Sequence, residues 1–367
     1  MPHYTELNIG PVHPSIHGIF NFKLILNEEI IQDVKVTLGF LHRNAEKLSE
    51  LNLYADNIIF FDRMNYIDAM NMELCYLMSV EKITGIEPPE RAQWIRMIMV
   101  ELNRLAARLV GMGSLGLDLG MLTPFFHAFK EREKIQRIFT EASGGRQEVN
   151  YFSIGGVYQD FTEKIINDIR NFIDQFKKNL EDMYNMFIHS EIFWQRNQGI
   201  GIIEPELAFD YGVTGPAIRA SGIPYDVRKD APYLFYDKVN FDIPISHQKD
   251  NFGRFMIKVE EMRQSIRIIE QSLDKINDGP FFNPQGKKSL MLRIKGNGEA
   301  FSRVESDAGE FGVYVKGDNT TKPYRVHARS PGLRNLSLLP VISKGLMIAD
   351  FIAVVGGLDP VVGEVDR

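Results

Sequence analysis

Two long stretches of this chain repeat apolar residues at spacings of three and four, and they constrain its fold more than any other feature. The first runs from Ile165 through Phe176 to Phe187, and the second from Phe255 through Ile266 to Ile276. Residues three and four apart share one face of a helix, so each stretch carries a single apolar stripe. The pattern predicts two long helices that pack along most of their length, as in a helix bundle.

The segments before and between these stretches extend the helical core. Dense apolar faces run over residues 61–83 and 89–110, and Pro88-Pro89-Glu90 is a typical helix start. Residues 199–250 are rich in Gly, Pro and Asp, which predicts a long irregular excursion with short helical pieces.

Two segments have a period of two instead, which is typical of strands. Residues 19–38 predict an antiparallel hairpin that turns at Asn27-Glu28-Glu29. After Gly279-Pro280 a small sheet is predicted, with turns at residues 296–298 and 317–319 and a last helix after Leu336. Its alternating apolar positions are Leu290, Leu292, Ile294, Phe311, Val313 and Val315.

These elements predict an α+β fold built as one integrated unit. We divide it into an N-terminal β region with a histidine loop (1–40), a helical bundle core (41–280), and a small β region with a C-terminal helix and a buried tail (281–367).

Charge and hydropathy exclude several classes of function. The net charge of -6 leaves no basic excess to neutralise phosphates, so nucleic-acid binding is excluded. The longest apolar run, residues 345–358, is too short to span a bilayer and contains Asp350. The N-terminus lacks the regions of an export signal, so a soluble cytosolic chain is expected.

Cysteine usage excludes an all-cysteine site. Cys75 is the single thiol and lies among apolar helical residues, which favours a buried free cysteine. Neither a disulfide nor an iron–sulfur cluster can therefore be built from this chain, and a partner would have to supply any such cluster.

The stretch GPVHPSIHG, residues 10–18, holds two histidines four apart. In a helix His13 and His17 would share one face, but Pro14 and the flanking glycines predict an ordered turn between strands instead. Two titratable rings in one loop suggest a polar pocket. The alternative is a loop whose rings merely bond the backbone.

Further polar groups lie in apolar surroundings. Residues 62–68 place an arginine, Tyr66 and two carboxylates at the head of a predicted helix. Asp118 lies in a glycine-rich stretch predicted to break two helices, where a carboxylate needs a cation, a histidine or several donors. Its alternative role is capping the next helix. The charged tail 359–367 either frays or is tied into an interface.

Eight segments together resemble one family along almost the full length: the quinone-site subunit of respiratory complex I, known as the D-type subunit in bacteria. Each segment alone is modest, but their order and spacing are specific. The matching strings are GPVHPSIHG, GFLHRNAEKL, FDRMNY, PERAQWIRMIMVELNRLAARLVGMGSLGLDLG, TPFFHAFKERE, YFSIGGV, RVESDAGEFGVYV and GLDPVVGEVDR.

That family is similar to the large subunit of nickel-iron hydrogenases, which implies a hydrogenase-like scaffold. Hydrogenases hold their metals through two CxxC pairs, and the resemblance places Asn65, Asp68, Val361 and Glu364 at those positions. Nickel-iron sites need thiolates, and none of these residues is one. No metal site is expected in this chain, and the old metal cavity becomes a candidate ligand pocket.

The resemblance implies roles for individual residues. His17 and Tyr66 would bind the quinone head group, with Asp118 paired to His17 and His13 in a loop that moves with quinone occupancy. We interpret His17 with Asp118 as the first proton source, because imidazole titrates near pH ~6.5 and a tyrosine near ~10. Tyr66 would chiefly bind and orient.

The same resemblance places His42, Arg43 and Arg63 beside the iron–sulfur cluster of a neighbouring subunit, where positive charge raises the cluster potential. Many members have a histidine two residues after the arginine at the position of Arg146, and this chain has Glu148 there. We interpret Glu148 as a redox-coupled position that gives a lower-potential cluster, and so menaquinone rather than ubiquinone.

The function implied is one subunit of a proton-translocating NADH-quinone oxidoreductase, peripheral on the cytoplasmic face of the cell membrane. Quinone would be its substrate, with no covalently bound cofactor. Its partners would be the iron–sulfur subunit of B type, the C- and I-type subunits and the H-type membrane subunit. Alternatives are the equivalent subunit of a ferredoxin- or F420-dependent or hydrogenase-related complex, a purely structural assembly subunit, and a histidine-metal hydrolase.

Overall fold

A computed structural model describes residues 4–286 and 294–367 of the chain. The strands are β1 (Tyr4–Ile9), β2 (Asn21–Asn27), β3 (Ile30–Thr37), β4 (Phe152–Ser153), β5 (Gly156–Val157), β6 (Gly296–Glu305), β7 (Glu310–Thr320) and β8 (Arg325–Arg329). The helices up to the middle of the chain are α1 (Ala45–Leu51), α2 (Ile58–Phe61), α3 (Ala69–Thr84), α4 (Glu90–Asp118), α5 (Leu122–Ser143), α6 (Glu163–Ile188) and α7 (Glu191–Asn197). The remaining helices are α8 (Pro205–Tyr211), α9 (Pro216–Ala220), α10 (Val227–Asp230), α11 (Asn251–Lys275), α12 (Pro331–Leu336), α13 (Leu339–Ile342), α14 (Ile348–Leu358) and α15 (Val362–Asp366).

The two long helices are confirmed as α6 and α11. Both begin at a side-chain cap: Thr162 accepts a hydrogen bond from the Ile165 amide, and Asp250 accepts one from the Gly253 amide. Their apolar stripes are buried in a core that also includes α3, α4 and α5. The irregular excursion between them is confirmed as well, since residues 199–250 contain only short helices.

Two helix boundaries were predicted wrongly. The stretch 61–83 is not one helix, because residues 62–68 form turns between α2 and α3. Short polar side chains there bond the local backbone, as when Asn65 Oδ1 accepts from the Asp68 amide at 3.1 Å, and this competes with helix formation. The glycine-rich stretch is not a break either, since α4 continues through it to Asp118. Burial of its apolar residues offsets the helix cost of glycine, about 1 kcal/mol each.

The N-terminal hairpin is confirmed as β2 and β3, in register Leu24 to Val34, and β1 adds an unpredicted third antiparallel strand. The C-terminal sheet has the order β6-β7-β8. Its predicted turns were wrong, because Gly298 and Gly317 pair with each other inside β6 and β7. The turn between these strands is at residues 306–309, where Ser306 Oγ donates to the Gly309 carbonyl at 2.7 Å. Leu290 and Leu292 lie outside the described residues.

Two apolar cores organise these elements. One joins the helical bundle to the C-terminal sheet, and the other joins the N-terminal sheet to the helices after residue 330. The tail after Leu358 does not fray, because α15 is buried and Glu364 is fully inaccessible. The structure is therefore α+β with a helical core, and the sheet that carries the histidine loop shares its core with the chain's last helices.

A buried ion-pair centre fastens α4 to its neighbours. Four arginines and four carboxylates, all at most 3% exposed, balance one another's charge: Arg104, Arg108, Arg219, Arg228, Glu101, Asp226, Glu261 and Glu305. Glu261 of α11 is central, since Arg108 donates to it at 2.5 Å and Arg219 also donates to it. Arg228 reaches Glu101 of α4 at 3.0 Å. This centre holds α4 at a fixed rotation against α11.

Candidate functional site

The histidine loop forms the predicted turn between β1 and β2. His13 precedes a single helical turn at Pro14–Ile16, and its Nδ1 accepts a hydrogen bond from the Ser15 amide at 3.3 Å. Ile16 is fully buried and anchors this turn. His17 then takes a left-handed conformation with φ 49°, a strained but tolerated state for histidine. The His13 ring is therefore exposed to solvent, whereas the His17 ring is half-buried.

His17 meets Asp118, the last residue of α4. The distance from His17 Nε2 to Asp118 Oδ2 is 2.8 Å, and the Asp118 side chain is only 5% exposed. Asp118 Oδ2 has no other hydrogen-bond partner among the described residues, so the imidazole is the group that compensates the burial of this oxygen. Met121, not Asp118, precedes α5, and no side chain caps that helix. The capping alternative for Asp118 was wrong.

The environment of His17 favours its charged form. Burial acts to lower the pKa of the imidazole, but the hydrogen-bonding and Coulombic attraction of Asp118 outweigh it, and Asp359 adds to the rise. Lys258 opposes the rise, and its effect is the smallest of these. The net result is a pKa above the ordinary 6.5 of histidine, so a larger fraction of His17 is protonated at neutral pH.

Replacing Asp118 with asparagine should lower the pKa of His17, because burial would then act without the carboxylate. In the wild type, the pair stabilises the fold fully below the pKa of 6.5 that histidine has in an unfolded chain, and this contribution is lost as pH rises through the raised folded value. D118N should remove that pH dependence of the melting temperature. Histidine NMR titration of the labelled chain measures the pKa directly. If His17 has the same pKa in D118N as in the wild type, Asp118 is not the cause of its raised pKa.

Tyr66 lies in the turns before α3, on the other side of the tail helix α15. Its ring is 37% exposed and lines a narrow cleft of about 20 Å³ together with Glu148. Burial raises the pKa of the Tyr66 hydroxyl, with Arg43 opposing. The contacts bring His17 to Asp118 rather than to Tyr66. The two predicted quinone ligands thus lie on two different parts of the chain, which we call the two walls of the candidate site: the histidine loop (residues 10–18) and the tyrosine turn (residues 62–68).

Helix α15 joins the two walls. Val362 packs against Gly18 at the end of the histidine loop, since a Cβ built on Gly18 would lie 3.2 Å from it. A Cβ built on Gly363 would lie 2.7 Å from the Met64 carbonyl, so only glycine lets the helix approach the tyrosine turn this closely. Asp366 then accepts from the amides of Gly39 and Leu41 at 2.8 and 2.7 Å. The tail therefore spaces the histidine loop from the tyrosine turn.

The predicted cationic residues cluster beside that turn. Arg43 donates to the Arg63 carbonyl at 2.5 Å, and His42 Nδ1 lies 2.7 Å from the Asp366 carbonyl oxygen. Arg63 Nε lies 3.3 Å from Glu148 Oε2, and its Nη1 donates to Asp62 at 2.8 Å. Burial raises the pKa of Asp62 to about 7, against the attraction of Arg63. Arg63 thus has two carboxylate partners, the buried Asp62 and the exposed Glu148.

Asn65 and Glu364, two of the four residues that the resemblance to hydrogenases singled out, lie together in a buried carboxylate–amide cluster. Asn65 donates to Asp307 at 2.8 Å and to Glu364 at 3.0 Å, and all three are buried. Burial raises the pKa of Glu364 to about 7. In residues 4–286 and 294–367 no three His, Cys, Asp or Glu side chains are arranged as a metal site.

Comparisons with known proteins match most of this chain. A family model described as "Respiratory-chain NADH dehydrogenase, 49 Kd subunit" matches residues 118–367. The D-type subunit of NADH-quinone oxidoreductase from Dehalococcoides mccartyi is 41% identical, over 98% of each chain. The corresponding D-type subunits of Geotalea uraniireducens and Thermus thermophilus are 41% and 38% identical over 98% of this chain and 98% and 93% of their own.

The chain belongs to the family of D-type subunits of NADH-quinone oxidoreductase. The resemblance inferred from the eight sequence segments is confirmed. The roles of His17, Tyr66 and the other site residues stay predictions, because a likeness of whole chains does not test them.

Three residues near the site of this NADH-quinone oxidoreductase subunit were not recognised from the sequence: Lys258, Asp307 and Asp359. Asp307 lies in RVESDAGEFGVYV and Asp359 in GLDPVVGEVDR, both used only to recognise the family. Lys258 interrupts the apolar stripe of α11, and it donates to Asp359 and, at 2.8 Å, to the Gly357 carbonyl. The charge of Lys258 beside the buried stripe of α11 indicated that it has a partner. The sequence does not show which one, because Asp359 lies about a hundred residues away along the chain.

Proposed function

We propose that this chain forms the quinone head-group site of a proton-translocating NADH-quinone oxidoreductase, with His17 and Tyr66 as its ligands. The observation that carries the proposal is the His17–Asp118 pair, held 2.8 Å apart at the edge of the fold. A loop-borne imidazole backed by a buried carboxylate is a typical proton donor. Family membership supports the quinone substrate, since the relatives are named as subunits of NADH-quinone oxidoreductase.

The chemistry follows from what quinone reduction needs. Two electrons and two protons convert a quinone to a quinol, and negative charge develops on both carbonyl oxygens before protonation. His17 would protonate one oxygen and leave a neutral imidazole beside Asp118. Tyr66 would donate a hydrogen bond to the other oxygen, because its raised pKa keeps the phenol protonated, and that oxygen would take the second proton from solvent. The two roles fit the surroundings of the side chains, since His17 is paired with a carboxylate and Tyr66 is not.

His42, Arg43 and Arg63 would face the iron–sulfur cluster of the neighbouring subunit, which supplies the electrons. A cationic surface favours the reduced cluster and raises its potential. Glu148 offsets part of this charge, because it pairs with Arg63 at 3.3 Å. We therefore assign Glu148 the role of lowering the cluster potential, which suits menaquinone.

Replacing Glu148 with glutamine should raise the midpoint potential of that cluster, because the cationic surface would lose its counter-charge. Redox titration of the assembled complex, followed by electron paramagnetic resonance, measures the shift. Glu133→Gln is the matched control, since Glu133 pairs with the exposed Arg146 instead. A pH-dependent wild-type midpoint like that of histidine-bearing relatives, or no shift in E148Q, would contradict the role of Glu148.

Scaffold, location and partner subunits follow from the same family membership. We infer a hydrogenase-like scaffold, with the three predicted regions as one unit, on the cytoplasmic face of the membrane. The partners would be subunits of B, C, I and H type. In the described parts of the chain, no helix combines the length and apolar character needed to cross a membrane.

A photoreactive quinone analogue tests the site in the intact complex. It should label Tyr66 or the His13–His17 loop, and excess quinone should suppress that labelling. Tyr324, which is 64% exposed and lies before β8, serves as the control and should be labelled only in a quinone-insensitive way. If neither Tyr66 nor the loop shows quinone-sensitive labelling, the chain is a structural assembly subunit and the proposal fails.

A further inference from the structure

A small cavity lies behind the site, where six parts of the fold converge. It has a volume of about 10 Å³, which is room for one water molecule. Its polar lining comes from α4, α11, the β6–β7 turn, α12 and the residue after α14: Arg108, Lys258, Asp307, Asn335 and Asp359.

Two of these side chains present polar atoms that the fold does not satisfy. Arg108 Nε and Nη1 and Asn335 Oδ1 are inaccessible and have no hydrogen-bond partner among the described residues. Both residues are almost fully buried, at 3% and 2% exposed. Unpaired buried donors and acceptors are costly, and native proteins usually satisfy them with protein or bound water. A donor and an acceptor that line one cavity therefore indicate a shared ligand.

The charges around the cavity favour water over an ion. Lys258 pairs with Asp359, and Arg108 offsets Asp307 while also donating to Glu261 at 2.5 Å. Asp307 also accepts hydrogen bonds from Asn65 and from the Ala308 amide, and no three His, Cys, Asp or Glu side chains of the described residues form a metal site here. A water molecule can accept from Arg108 and donate to Asn335 and Asp307, which meets the two to four partners that a buried water needs.

We propose that this cavity binds one water molecule that connects the buried polar groups behind Tyr66 with those behind His17. On one side, Asp307 accepts from Asn65, the residue before Tyr66 in the chain. On the other side, the Asp359 carboxylate rests against Gly111, whose built Cβ would lie 2.5 Å from it. Gly111 is seven residues from Asp118 on α4, and so lies on the same helix face two turns away.

This link rests on the proposed function and deepens it. There, His17 gives a proton to the quinone as it is reduced in each turnover and has to regain one. The water would pass on one proton for each proton it receives, so it changes no net charge. Asp307 on the Tyr66 side and Asp359 on the His17 side could then exchange a proton through this water, and solvent would supply the proton that His17 regains.

The direct test is a map of the intact complex at a resolution that shows other buried waters. Density within hydrogen-bond distance of both Arg108 Nη1 and Asn335 Oδ1 is the expected result. An empty cavity in such a map would overturn the inference, whatever the activity of the complex.

Asn335→Leu tests the link, because it removes the acceptor and fills the cavity with methyl groups. Quinone reduction should become roughly tenfold slower, with a larger solvent deuterium isotope effect and an unchanged KM for quinone. Ser343→Ala is the control, since Ser343 is also buried without a partner but does not line the cavity. If N335L displaces the water yet keeps the wild-type rate and isotope effect, the link is overturned.

The failure of the link and that of the proposed function can be told apart. Missing density at the cavity, with normal quinone-sensitive labelling of the site, removes the link alone. Visible water with no quinone-sensitive labelling removes the proposed function and leaves only a structural water.

Discussion

Replacing Tyr66 with phenylalanine in the assembled complex should lower the quinone reductase rate about 10²–10³-fold, the usual cost of removing a donor from a developing oxyanion. The effect should appear in kcat and KM together, because the hydroxyl both binds and orients the head group. His17→Ala should lower kcat about 10²–10⁴-fold, since it removes the proton donor and leaves Asp118 without its partner.

Both variants should still allow NADH to reduce the iron–sulfur clusters, which absorbance and electron paramagnetic resonance measure. This separates a lesion at the quinone site from a failure of assembly. His127→Ala is a suitable control, because His127 is an exposed histidine of α5 outside these contacts. Normal quinone turnover in Y66F and H17A would refute the roles assigned to them.

The second large effect should be on stability. Glu261→Gln should lower the free energy of unfolding by about 3–5 kcal/mol, the usual cost of breaking a buried ion pair from one side. Glu261 is 1% exposed and holds Arg108 and Arg219, so the amide would leave the buried Arg108 without its carboxylate and Arg219 with Glu305 and Asp226 alone. Thermal unfolding of the purified full chain measures the loss.

Glu181→Gln is the matched control for this experiment. Glu181 pairs with Arg263 at 2.8 Å, but its side chain is 49% exposed. Solvent screens such a pair, so its loss should cost about 0–1 kcal/mol. Equal melting temperatures for E261Q and E181Q would show that the buried centre does not stabilise the fold.

The sequence predicts the fold correctly where the periodicity of apolar residues is strong. The stripes of α6 and α11 and the alternation of β2 and β3 depend only on local periodicity, and both predictions are confirmed. Strand β1 was missed because most of Tyr4–Ile9 is not buried, so its alternation is weak. Gly298 and Gly317 resemble turn residues, and only their pairing across β6 and β7 shows otherwise.

At the site too, the sequence indicates which residues matter, but the tertiary fold decides which of them pair. The types and positions of His17, Tyr66 and Asp118 single them out in the sequence, and the structure does bring His17 and Asp118 into contact. The pairing of Arg63 with Glu148 and of Asn65 with Asp307 could not be derived, because each joins residues from separate elements. A polar residue in an apolar stretch indicates that a partner exists, and the tertiary fold decides which one.

The anchoring of α4 determines which side of the site can move. Glu101, Arg104 and Arg108 each hold a charged partner or carbonyl on another element, so the helix can neither turn about its axis nor slide. Asp118 ends this helix and is therefore a stationary reference point. His17, by contrast, follows a short turn between two strands. We therefore expect any opening or closing of this ion pair to come from the imidazole side, with the carboxylate as the fixed partner.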